Sequence, residues 1–89
     1  MAKPIEIKLV IRQGCHLCVA AESDLARVIA RFAAEYPDRE FSVEVVDISD
    51  YEDLQRFSEE VPVLLIDSKQ VSFWRIDETR AFEKLSELA

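Results

Sequence analysis

The sequence predicts an α/β fold, one four-stranded mixed sheet flanked by helices. Apolar residues alternate at period two near residues 5–11 and 41–48, and recur at helical spacing in between. A continuous apolar run from Val61 to Ile66 follows, and a second helical pattern closes the chain. Strand and helix periods that take turns along a chain are what β-α-β units leave in a sequence. Eighty-nine residues make one domain, residues 1–89, with room for a modest core. A composition of 49% hydrophobic and 33% charged residues, with three prolines and one glycine, fits a folded soluble chain and not a disordered one. There is no internal repeat and no linker.

Ile5 to Ile11 reads as a strand: Ile5, Ile7, Leu9 and Ile11 share one face, with Val10 on the other. A short turn at Gln13-Gly14 follows. Leu17, Ala21, Leu25, Val28, Ile29 and Phe32 then recur at helical spacing. This helix begins at or near Cys15 and ends by Tyr36, because Pro37 disfavours helical angles in the residue before it. Phe41, Val43 and Val45 alternate with Ser42 and Glu44, giving a second strand to about Ile48. Ser49-Asp50-Tyr51-Glu52 matches a capping box, so a short helix is expected, with a thin apolar face of Leu54 and Phe57. Val61 to Ile66 suits a strand buried on both faces. Asp67 to Gln70 is turn-like, and Val71 to Trp74 is a short last strand. Asp77 caps a final helix that faces inward with Ala81, Phe82, Leu85 and Leu88. The order is β-α-β-α-β-β-α. The first two strands are joined by a crossover and should be parallel, whereas the last two form an antiparallel hairpin.

The net charge of −7 disfavours nucleic acid, whose binding rests on cations that neutralise phosphate. It favours basic partner surfaces. The acid is concentrated: Asp47, Asp50, Glu52, Asp53, Glu59 and Glu60 stand against Arg56 alone, a pattern that reads first as a solvated helix with its flanks. No apolar run approaches the roughly 20 residues of a membrane span. Glu6 and Lys8 interrupt what would be a signal peptide's apolar region, so the expected compartment is the cytoplasm.

The stretch Arg12-Gln13-Gly14-Cys15-His16-Leu17-Cys18 holds both cysteines and the single glycine. A bridge closing so short a loop removes little chain entropy. In a reducing compartment such a pair is more often redox-active or metal-binding than structural. If Cys15 opens the helix, the unpaired N–H groups and the positive end of the dipole stabilise its thiolate and lower its pKa well below the ordinary ~8.5. Cys18 lies one turn further along the same face, placed to attack a mixed disulfide formed on Cys15. Gly14 supplies backbone angles closed to other residues and leaves the neighbouring sulfur open to a partner. His16, when protonated, would favour the thiolate; otherwise it is a solvent-facing spacer.

Strand, C-x-x-C on a helix start, and Val61-Pro62 before a late strand together resemble the thioredoxin fold, most closely the glutaredoxins, over nearly the whole chain. The GCHLC-x-x-A stretch looks more like a glutaredoxin-like branch than the C-P-Y-C members. The resemblance implies that Cys15 is the attacking cysteine and Cys18 the resolving one. It implies that Pro62 is a cis-proline facing them, and that the backbone of Val61 pairs with a peptide-like substrate. Arg12 stands where many glutaredoxins carry a lysine, and would pair with a glutathione carboxylate or be an ordinary exposed cation. The family's Gly-Gly near the last helix is replaced by Phe73-Trp74-Arg75-Ile76-Asp77, so only Asp77 corresponds to the residue that holds the γ-glutamyl end of glutathione.

The implied function is thiol-disulfide oxidoreduction on protein or small-molecule disulfides. The electron donor is a reductase or glutathione as co-substrate; no resident cofactor or metal is expected, and the chain is expected to be a monomer that binds neither nucleic acid nor membrane. Two other readings remain open. Two thiolates are half of a tetrahedral zinc or iron–sulfur set, which a second subunit or glutathione would have to complete. The chain is otherwise a non-catalytic interaction module with the acidic segment as its docking face.

Overall fold

The computed structural model describes residues 3–89. The chain runs β1 (Ile5–Ile11), α1 (His16–Glu35), β2 (Phe41–Asp47), two 3-10 turns at Ile48–Asp50 and Glu52–Phe57, β3 (Val63–Ile66), β4 (Lys69–Phe73) and α2 (Glu78–Leu88). The sheet order is β2-β1-β3-β4. β1 and β2 are parallel from Ile5↔Phe41 to Ile11↔Asp47. β3 runs antiparallel to both β1 and β4, with Val10↔Val63 and Val63↔Phe73 in register. The mixed four-stranded sheet is the one the periodicities predict.

Pleating separates two cores. Ile5, Ile7 and Leu9 of β1 and Leu64 and Ile66 of β3 face α1 and α2, where they meet Ala21, Leu25, Val28, Phe32, Ala81 and Leu85. Val10, Val46, Val63 and Leu65 point the other way, onto Leu54, Phe57 and Val61. Phe32 is fully buried, with its ring 5.1 Å from Tyr36 and 5.8 Å from Phe41. Truncating a buried Phe typically costs about 3–5 kcal/mol. The α1–α2 seam is closed by Arg31 stacked 3.8 Å over Phe82 and by an exposed Arg27–Glu78 ion pair at 3.3 Å. Solvent screens this exposed pair, so it adds little to the seam.

Four local expectations change. Leu17 is exposed, and Cys18 takes its place on the inward face with Ala21, Leu25, Val28 and Phe32. One residue along a helix is a 100° rotation, enough to move a side chain off a narrow stripe. Val43 and Val45 remain 44% and 45% exposed, because β2 is an edge strand and the helix layer centres on β1 and β3.

The segment after β2 is not a capped α-helix. Asp47, not Ser49, is the cap: its carboxylate accepts the Ser49 N–H at 2.9 Å and the Ser49 hydroxyl at 2.7 Å. The second turn starts at Tyr51 with no side-chain cap. Its two buried residues, Leu54 and Phe57, are three apart, the spacing that eclipses in a 3-10 helix. Finally, β4 begins at Lys69 and not at Val71. The hairpin turn is only Asp67-Ser68, both at positive φ (50° and 69°). The Asp67 carboxylate accepts the Glu6 N–H at 2.9 Å and the Asp67 N–H donates to the Glu6 carbonyl at 2.8 Å, which lets a non-glycine hold this turn.

This topology defines one functional end. α1 starts where β1 stops. β2 stops there too, and the two 3-10 turns lead back to Val61-Pro62 and the first residue of β3. Phe73 pairs with Val63, so the Phe73-Trp74 corner arrives at the same end. α2 is capped as expected, the Asp77 carboxylate accepting the Arg80 N–H at 3.0 Å.

Candidate active site

Gly14 sits at φ +75°, in the left-handed region that other residues enter at a cost. A Cβ at this position would meet no atom within 4 Å. Within the fold, then, the glycine answers a backbone requirement and not a steric one: the chain must reverse from β1 into α1 within three residues, Arg12 to Gly14.

Cys15 is the N-cap of α1, with extended angles (φ −93°, ψ 114°). Its Sγ accepts the Cys18 backbone N–H at 3.2 Å. That N–H would otherwise lack a partner at the helix start. Cys15 is half-buried, His16 is exposed on the first turn, and Cys18 is only 2% exposed. Both cysteines are free thiols. Burial pushes the Cys18 thiol up to about 11, the hydrogen bond to Cys15 adds to this, and the Arg12 backbone N–H acts in the opposite direction. The pair thus divides into an accessible sulfur that receives an N–H and a buried one that keeps its proton.

Two shallow clefts meet at Cys15. One is walled by Arg12, Gly14, Ser58, Glu59 and Val61. The other runs along the helix start past His16, Cys18, Val19 and Glu22. The Arg12 guanidinium donates to the Ser58 carbonyl, fastening the end of β1 to the opposite wall. Asp47 sits beside it; the Ser49 hydroxyl and N–H, and secondarily the Arg12 charge, hold its carboxyl below the ordinary range. Val61-Pro62 is a cis peptide; Pro62 is fully buried and Val61 nearly so. Among the described residues no three His, Cys, Asp or Glu side chains gather as a metal site.

The family model of the glutaredoxin-like domain (DUF836) matches residues 6–86, strand to last helix. The chain belongs to this glutaredoxin-like family. A glutaredoxin-like protein of Dictyostelium discoideum is 31% identical over 86 residues, covering 93% of this chain and 77% of the relative. An uncharacterised protein of Mycobacterium bovis is 28% identical, covering 90% and 80%. Among solved structures, a structural-genomics target from X. campestris superposes with a TM-score of 0.65 at 27% identity, covering 91% of this chain and 96% of that one. Fasciola hepatica thioredoxin shares the fold, with a TM-score of 0.59 at 21% identity, over 99% of this chain and 84% of that one.

In this glutaredoxin-like domain the sequence-predicted residues separate into two groups. Arg12, Gly14, Cys15, His16, Cys18, Val61 and Pro62 gather at the end of β1. Asp77 does not line the Cys15 clefts; it lines a hollow between β4 and α2 with Lys69, Val71, Thr79 and Arg80. Glu22, Ser58 and Glu59 are among the cleft-wall residues that sequence reasoning does not assign to the site. Glu22 was findable, four residues after Cys18 and so on the same helix face. Ser58 and Glu59 were not, since only the return of the chain to β3 brings them near Cys15. Trp74 joins them. At φ +64°, its N–H donates to the Glu60 carbonyl at 3.0 Å and its indole N–H to the Glu59 carbonyl at 2.9 Å. A bulky residue at positive φ is costly and persists only where its surroundings hold it.

Proposed function

We propose that this glutaredoxin-like domain is a dithiol-disulfide oxidoreductase. The observation that carries the reading is the asymmetry of the pair: Cys15 at the helix N-cap receives a backbone N–H, and Cys18 is buried beneath it as a thiol. The Cys15 thiolate attacks one sulfur of a substrate disulfide R–S–S–R′, forms the mixed disulfide Cys15–S–S–R, and releases R′S⁻, which takes up a proton. Cys18 then attacks the Cys15 sulfur and gives up its proton to the departing RS⁻. Two protein thiols become one disulfide and one substrate disulfide becomes two thiols. An external dithiol or a reductase returns the pair to the dithiol form. Cys18 at about 11 is a poor nucleophile until that proton leaves, so the second step depends on proton transfer to the departing thiolate.

The test is turnover of a protein disulfide with dithiothreitol as donor, with mass spectrometry of trapped species. The expected result is loss of catalysis in Cys15→Ser and accumulation of a substrate adduct on Cys15 in Cys18→Ser. A Cys15→Ser variant as active as the parent would refute the reading.

A further inference from the structure

We infer that the Cys15 end receives a disulfide carried on a basic, apolar protein segment in preference to glutathione; the inference deepens the oxidoreductase reading and rests on it. Its first support is where the exposed apolar side chains lie. Among the described residues the large ones are Leu17, Val19, Val43, Val45, Tyr51, Phe73 and Trp74. All but Val43 sit at or next to the end that carries Cys15. Leu17 and Val19 are in the first turn of α1, and Val19 lines a Cys15 cleft. Trp74 is hydrogen-bonded to Glu59 on the wall of the other cleft, and Phe73 packs edge-on against it at 5.0 Å. Tyr51 joins the two 3-10 turns, and Val45 is two residues from the end of β2. Apolar surface gathered around a reactive sulfur is a contact for another macromolecule. A charged tripeptide covers little of it.

The second support is charge. The segment that leaves the sheet at Asp47 and returns at Val61 carries six carboxylates against Arg56. Glu59 lines one Cys15 cleft and Glu22 the other. Arg12, the cation that lines both clefts, is bonded to the Ser58 carbonyl and lies beside Asp47. His16 is the remaining titratable side chain on the first turn. A surface with this balance attracts Lys- and Arg-bearing segments and repels an anion such as glutathione. Glutathione, moreover, finds no Asp77 in either cleft.

The experiment uses three peptides of equal length, each with one cysteine activated as a 2-pyridyl disulfide and flanked by Lys and Leu, Glu and Leu, or Lys and Ser. The second-order rate with reduced protein is followed by thiopyridone release, after subtracting the rate with free cysteine. The Lys–Leu peptide is expected to react at least about tenfold faster than the Glu–Leu peptide at ~20 mM ionic strength, with the ratio collapsing at ~500 mM salt. It should also outpace the Lys–Ser peptide. Asp50→Asn/Glu52→Gln/Asp53→Asn should shrink the Lys-to-Glu ratio, while Asp38→Asn/Glu83→Gln/Glu87→Gln, an equal charge change at other faces, should leave it. Equal rates for the Lys–Leu and Glu–Leu peptides overturn the inference, as does a Lys–Ser peptide as fast as Lys–Leu. If no peptide reacts faster with protein than with free cysteine, the oxidoreductase reading itself fails, and the inference with it.

Discussion

Cys15 and Cys18 differ by one helical turn and by nearly everything else. One caps the helix, half-buried, and receives an N–H; the other is buried and donates toward it. Cys15 should therefore alkylate much faster than Cys18 at neutral pH, as iodoacetamide labelling followed by peptide mass spectrometry would measure. Equal rates would count against the assignment of roles. In Cys15→Ser, labelling of Cys18 should still require a higher pH than a free thiol, because burial is the larger cause of its shift. The same shift makes a stability prediction. Cys18 rises from 9.0 to about 11 on folding, so the native state holds the proton longer. The contribution is intact below the ordinary thiol pKa and is lost as pH climbs through about 11. Two pH units correspond to roughly 2–3 kcal/mol at most. Urea unfolding of the reduced protein should show this alkaline loss, and the oxidised protein, which has no thiol to ionise, should lack it.

At the scale of elements, the site depends on how α1 begins and how α2 is held. The β1–α1 reversal needs positive φ at Gly14, in open space. Gly14→Ala should therefore cost about 1–2 kcal/mol of backbone strain with no clash, read from equilibrium unfolding. Gly14→Asn should cost less, because Asn tolerates that region. Asp77 is the cap of α2, its carboxylate accepts the Arg80 N–H, and it lines neither Cys15 cleft. Asp77→Ala is expected to lower stability by about 1 kcal/mol and to leave disulfide turnover unchanged. Turnover that collapses while stability holds would return Asp77 to substrate binding.

Across the whole molecule, topology concentrates chemistry at one end. The ends of β1, β2 and β4 and the start of β3 converge there, so one surface carries both cysteines, the cis Val61-Pro62 bond, most exposed apolar side chains and much of an overall charge of −7. A small anionic donor is poorly matched to that surface, and Trp74 occupies the corner where glutaredoxins carry glycines. Glutathione should therefore be a weak electron donor, with a dithiol or a reductase giving better turnover. Brisk, saturable glutathione-dependent reduction, retained in Cys18→Ser and lost in Cys15→Ser, would show the opposite.

The elements themselves were legible in the sequence, because each rests on a repeat within a dozen residues: period two in β1, helical spacing in α1, an unbroken apolar run in β3, Asp77 ahead of α2. The cysteine pair was legible for the same reason, as C-x-x-C at a strand-to-helix turn is a local pattern. The cis geometry of Val61-Pro62 came from family resemblance alone, since only about 5–6% of X–Pro bonds are cis. Local patterns leave open which side of a narrow stripe faces inward, so Leu17 and Cys18 exchanged places. They are also blind to edges, and Val43 and Val45 alternate correctly on a stretch of β2 that the helices leave exposed. The pairing of Arg12 with Ser58, the reach of Trp74 to Glu59, and the separation of Asp77 from Cys15 were settled by the tertiary structure. Each joins or divides segments distant in sequence, and their meeting is governed by strand register and chain return, which no local pattern of side chains encodes.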